Sequence, residues 1–208
     1  MNIKDVKDIP ASKHFLKDIF NTQHELAVKY KEIEGIPDWP FDIDSLESQI
    51  WIKDFLWRSA EELAEALEAL DHQNEEHFLE ELADALHFIV EAIILAGVED
   101  RIKNQDLHEL AEAIKGTLTL GQQTRILNIQ LYSLVYFKSL GLVGNTLKNK
   151  KWKKTQVLTD YNKFVSLITK SFKDLIQLFV VAGCDAQDIY NLYYKKSRVN
   201  KFRQDSNY

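Results

Sequence analysis

Two pairs of acidic side chains share one spacing, Glu62-x-x-Glu65 and Glu81-x-x-Asp84. Residues three apart lie on one face of a helix. At about 100° per residue, Asp84 falls close to the line through Glu81, Phe88 and Leu95. Leu82, Leu86, Ile89 and Ile93 form the adjoining apolar stripe, and Glu80, His87 and Glu91 fall together on the side assigned to solvent. In the preceding segment Glu62 and Glu65 border the stripe of Leu56, Leu63, Leu67 and Leu70, whereas Glu61 and Glu68 point outward. Four carboxylates brought together cannot all stay ionised without a counter-charge. Hard divalent cations take oxygen ligands, and Mg²⁺ binds through a few carboxylates, waters and phosphates. The spacing therefore points to a Mg²⁺ site for a phosphorylated ligand. The competing reading is that E-x-x-E is common on solvated helices. A di-iron bundle would need Glu-x-x-His from two helices; only Asp84-x-x-His87 approximates it, with His87 expected at the surface.

Helices must carry these pairs. Apolar spacings of three and four dominate, without two-residue alternation. The pattern predicts helices over about 12–34, 44–70, 75–96, 106–115, 122–140, 156–182 and 186–196, then a polar tail. GIPDWPFD at 35–42 breaks the first helix, and DHQN at 71–74 is a short turn. That turn makes the two acidic helices antiparallel neighbours. GTLTLG at 116–121 reads as a loop, as does 141–154. Gly97 and Gly183 suit helix C-caps, and their similar surroundings could mark a duplication or shared helix termination.

Composition narrows the class. The 208 residues are 45% hydrophobic, enough for a substantial core. The single cysteine, Cys184, excludes an intrachain disulfide. A net charge of −6 argues against general nucleic-acid binding. The lysine-rich KNKKWKK at 148–154 reads as a solvated loop. With no apolar run of the roughly 18 residues a membrane span needs and no signal peptide, a soluble cytoplasmic protein without a membrane partner is expected.

At the acidic pairs the chain resembles the all-α NTP pyrophosphatase (MazG-like) superfamily, and within it the dimeric dUTPases. The signature is E-x-x-E, a spacer, then E-x-x-D. KSRVNKFRQDSNY is similar to the family segment K-N-x-x-N-x-F-R-Q-x-x-G-Y, with Ser197 and Asn207 in place of Asn and Gly. NTQHEL followed by DWPFD looks like the first family motif, a Gln on helix one and a Trp-containing loop.

The resemblance implies one all-α domain over 1–208, with acidic helices at about 44–96 and a phosphate-binding tail at about 195–208. It implies a helical bundle assembled as a homodimer that hydrolyses dUTP to dUMP and pyrophosphate, and dUDP with release of phosphate. Two or more Mg²⁺ ions would be held by Glu62, Glu65, Glu81 and Asp84, with Glu65 the carboxylate that orients or deprotonates the attacking water. Gln23 and Trp39 would contact the base, and Lys196, Asn200, Arg203, Gln204 and Tyr208 the phosphates. The alternatives are a pyrophosphatase acting on dCTP or a broader nucleotide set, and a helical scaffold without catalysis. Without metal, repulsion among the carboxylates should destabilise the fold, so Asp84→Asn is expected to raise the melting temperature.

Overall fold

The computed structural model describes residues 3–7, 9–118 and 124–205. Among these the chain forms seven α-helices and no strand. They are α1 (Phe15–Glu34), α2 (Leu46–Asp71), α3 (Glu75–Leu95), α4 (Leu107–Thr117), α5 (Arg125–Thr146), α6 (Tyr161–Val181) and α7 (Ala186–Asp205).

Local chemistry sets the ends of the acidic helices. Ser45 caps α2 by accepting from the Ser48 N–H, and Asn74 caps α3 by accepting from the His77 N–H. Such caps contribute about 1 kcal/mol each. Only His72, Gln73 and Asn74 separate the two helices, so they form an antiparallel hairpin. At the far end Gly97 adopts φ 66°, and the Val98 and Gly97 N–H groups donate to Ile93 and Ile94 carbonyls. A side chain there would meet Pro40 at 2.5 Å. Gly183 ends α6 with the same bonds, from Cys184 to Phe179 and from Gly183 to Val180. The two similar segments thus share their termination chemistry.

α3 is the central helix, packed against α2, α1, α6 and α7. From Glu81 to Leu95 every residue except Asp84 and Phe88 is buried. One apolar core runs from Phe15 through Leu82, Leu86 and Phe172 to Tyr193. Each such side chain contributes roughly 1.5–3 kcal/mol when fully buried. Where α3 has no solvent face, a polar side chain on it has either a partner or a task.

Two segments differ from the sequence pattern. The expected tail is helical through Asp205. Val199 packs with Ile3 and Val6, and Asp205 pairs with Lys29 of α1, so this stretch has anchors that its polar composition hides. α5 continues past Gly141 and Gly144 to Thr146. α5 is also long and apolar enough to cross a membrane, contrary to the expectation of no such run. It packs against α6 and α2, yet Leu127, Leu131, Leu134 and Phe137 remain exposed. Residues 119–123, inside the region read as a loop and the start of helix five, lie outside the described residues.

Candidate active site

The α2–α3 hairpin brings Glu62, Glu81 and Asp84 together, with one oxygen of each within 4.8 Å of the others. Glu81 is buried, and Glu62 and Asp84 are half-buried. Glu65 is exposed and stands outside this triad, although its charge acts on Glu62. Glu61 and Glu68 face solvent, as the spacing requires.

Three responses offset the crowding of charge. Lys196 of α7 places Nζ 2.5 Å from Asp84 Oδ2. His77 Nδ1 stands 3.0 Å from Glu81 Oε1. Burial, with the Asp84 and Glu81 charges beside it, pushes Glu62 up to about 8. Burial also pushes Asp84 up to about 6 despite the Lys196 ammonium on it. The Lys196 ammonium thus favours the charged form of Asp84, while the crowding favours a proton on Glu62. Desolvation works against the Lys196 charge, but Asp84 outweighs it and raises that group above its usual range. This pairing sets a cost against the expected gain for Asp84→Asn, because the substitution strands the Lys196 ammonium.

Glu62 and Asp84 line one end of a cleft of about 200 Å³. Its walls include Phe55, Phe88 and Tyr30, with Asn200 and Arg203 contributed by α7. Arg58 lies over the Phe55 ring at 5.0 Å and grips Glu34 through both Nη atoms, at 3.0 and 2.7 Å. At the inner end Gln23 is buried in a network. Its Nε2 donates to Glu91 Oε2 at 2.6 Å, and its Oε1 accepts from Tyr193 Oη at 2.5 Å. His87 Nδ1 lies 2.7 Å from the same Oε1, and the imidazole stacks on Tyr193.

His87 and Glu91 correct the sequence reading. Both were assigned to the outer side of α3, and both are buried, with Glu91 only 1% exposed. α1 and α7 cover that side. Tyr193, Arg58 and Glu34 were also missed. One usable signal was available: a buried Gln23 needs polar partners, and α3 carries polar residues inside an otherwise apolar run.

Of the other expected contacts, Gln23, Asn200 and Arg203 line the cleft. Lys196 is engaged by Asp84. Gln204 is half-buried on α7. Trp39 packs against the core with Lys31 over its ring at 5.8 Å, and it is not among the cleft-lining residues. Tyr208 lies outside the described residues.

The dUTPase family model matches residues 66–208. The chain belongs to the dUTPase family. The match covers Glu81, Asp84 and the whole of α7, and begins just after Glu62 and Glu65. Comparison with curated proteins and with solved structures gave no match. Membership makes this chain a hydrolase of dUTP, a dUTP diphosphatase with an all-α fold. The acidic triad suits the divalent cation on which dUTPases generally depend.

Proposed function

We propose that the chain is a Mg²⁺-dependent enzyme that hydrolyses dUTP to dUMP and pyrophosphate, and dUDP to dUMP and phosphate. The observation that carries this reading is the join of two unlike ends in one cleft. Glu62 and Asp84 of the carboxylate triad stand at one end and a polar network around Gln23 at the other. Mg²⁺ held by Glu62, Glu81 and Asp84, with Glu65 at the exposed edge, would supply Lewis-acid chemistry to the phosphates. Two or more ions fit the number of carboxylates.

The chain's own residues do the rest. Glu65, solvent-facing beside Glu62, orients the attacking water and takes its proton. Gln23 holds the base, and Trp39 supports the loop beside α1. Asn200 and Arg203 reach the phosphates from α7, where the guanidinium suits bidentate contact. Lys196 moves between Asp84 and a phosphate oxygen, and Gln204 and Tyr208 are further phosphate contacts. The domain spans 1–208. It works as a cytoplasmic homodimer without nucleic-acid or membrane partners, and the exposed apolar residues of α5 supply a face for the second copy.

A panel of deoxynucleotides with and without Mg²⁺ tests the reading. dUTP turnover with pyrophosphate release, abolished by a chelator and nearly absent for dTTP, supports it. Equal turnover of every nucleotide removes the base assignment, and turnover that ignores the chelator removes the metal.

A further inference from the structure

Gln23, Glu91, His87 and Tyr193 form a closed hydrogen-bonded group at the inner end of the cleft, and Glu91 plays no part in the chemistry above. Its Oε1 is buried and has no hydrogen-bond partner among the described residues, while its Oε2 takes the Gln23 amide. We propose that Glu91 is a positioning residue for base selection. Its protonation sets which way the Gln23 carboxamide faces, and so whether the cleft offers the base a donor or an acceptor. This rests on the reading of Gln23 as the base contact.

The group has two proton arrangements. With Glu91 ionised, Gln23 Nε2 donates to it, and Gln23 Oε1 is filled by Tyr193 Oη–H and His87 Nδ1–H. The second Nε2 hydrogen of Gln23 is left for a ligand. It fits a carbonyl oxygen, such as the 4-oxo group of uracil. This arrangement gives up the bond from His87 Nε2 to the Tyr193 carbonyl 3.3 Å away, because both atoms are then acceptors, and that loss works against it.

With Glu91 protonated, the carboxamide turns over. The Glu91 O–H donates to Gln23 Oε1, and the two Gln23 N–H groups serve His87 Nδ1 and Tyr193 Oη. His87 then carries its proton on Nε2 and donates to the Tyr193 carbonyl. What remains is a lone pair on Gln23 Oε1, which fits an N–H donor such as the 4-amino group of cytosine. His87 stays neutral in both arrangements, because burial pushes it down to about 3.

Burial pushes Glu91 up to about 7, which puts the change within the working range. The groups acting on Glu91 are Gln23 and Glu34 of α1 and Arg58 of α2. Tyr30 of α1 and Tyr193 of α7 lie near enough to feel its charge. Glu34 opposes ionisation; Arg58 and Gln23 favour it. Above the transition the cleft selects a carbonyl, and below it an amine.

The experiment follows the ratio of kcat/KM for dUTP over dCTP from about pH 6 to 8, between the protonation of cytosine N3 and the ionisation of uracil N3–H. Binding of dUMP and dCMP is measured over the same range without turnover. For wild type the uracil preference should rise about tenfold or more through an inflection near neutrality, the usual scale for facing two like hydrogen-bonding groups. For Glu91→Gln, which cannot titrate, the ratio should be flat. A flat wild-type ratio, or an inflection that survives in Glu91→Gln, overturns the proposal. dUTP hydrolysis with a flat ratio overturns the relay and keeps the hydrolase reading. pH-dependent binding of dUMP over dCMP without dUTP hydrolysis keeps the relay and removes the hydrolase reading. A chain that binds neither monophosphate removes both.

Discussion

The two ends of the cleft treat buried polarity in opposite ways. At the acidic end three like groups stand within 4.8 Å, and borrowed cations or retained protons hold them there. At the inner end Gln23, His87, Tyr193 and Glu91 complete most of each other's hydrogen bonds. The first arrangement holds acidic groups that Lys196 and retained protons only partly offset, and the second is organised in advance. One end is therefore suited to bind a cation and develop charge, the other to recognise a neutral group of fixed shape.

The largest expected effect is on turnover. Glu81→Gln, Glu62→Gln and Asp84→Asn should each reduce kcat by about 10²-fold or more, since each removes a charged ligand from metal-ion catalysis. Steady-state kinetics in saturating Mg²⁺ measures this. Activity close to wild type for any of them would take that residue out of the chemistry.

The next effect is on stability. Gln23→Ala leaves Glu91, His87 and Tyr193 short of partners and should cost about 2–4 kcal/mol. Asp84→Asn should cost about 2 kcal/mol without metal, because it strands Lys196. Adding Lys196→Met should recover part of that loss, a coupling that a double-mutant cycle in denaturant reads directly. If Asp84→Asn melts higher than wild type, repulsion outweighs the Lys196 pair.

Glu91 gives the comparison a pH signature. Its folded value of about 7 lies above the ordinary 4.5. A raised acid group stabilises the fold fully at low pH, and this is lost as pH rises through the folded value. Metal-free stability should fall between about pH 5 and 8, Glu91 contributing on the order of 3 kcal/mol up to about pH 7 and Glu62 the part above it. In Glu91→Gln that fall should shrink. An equal fall in both proteins would assign it to other groups.

How much of this could be read from the residues depended on where a partner was needed. Glu62, Glu81 and Asp84 were legible because two spacings on one hairpin suffice to bring carboxylates together. Gln23, Asn200 and Arg203 were legible through the family resemblance. His87 and Glu91 were not, because a helical wheel separates polar from apolar sides without saying which side another helix will cover. α1 and α7, distant in sequence, bury that side of α3. The same blindness made SRVNKFRQ look like a tail, when Val199 and Asp205 anchor it as helix. It also hid the ion pair that Lys196 makes with Asp84.

The smallest effects belong to the outer face of α2. Glu61, which accepts from Trp57 Nε1 at 2.8 Å, and Glu68 are both exposed. Glu61→Gln and Glu68→Gln should change stability by less than about 0.5 kcal/mol and leave turnover unaltered. A rate loss like that of Glu62→Gln would move the site to the other side of the helix.

The contrast between the two ends is tested most directly by thermal melts of wild type, Asp84→Asn and Gln23→Ala, with and without Mg²⁺. A cation that binds only the folded state stabilises it by about 2.7 kcal/mol at a hundredfold excess over Kd. Wild type should gain an increment of that order. Asp84→Asn should lose most of it, and Gln23→Ala should melt lower yet keep it. An increment that survives in Asp84→Asn, or disappears in Gln23→Ala, would contradict the assignment of cation binding to one end and base recognition to the other.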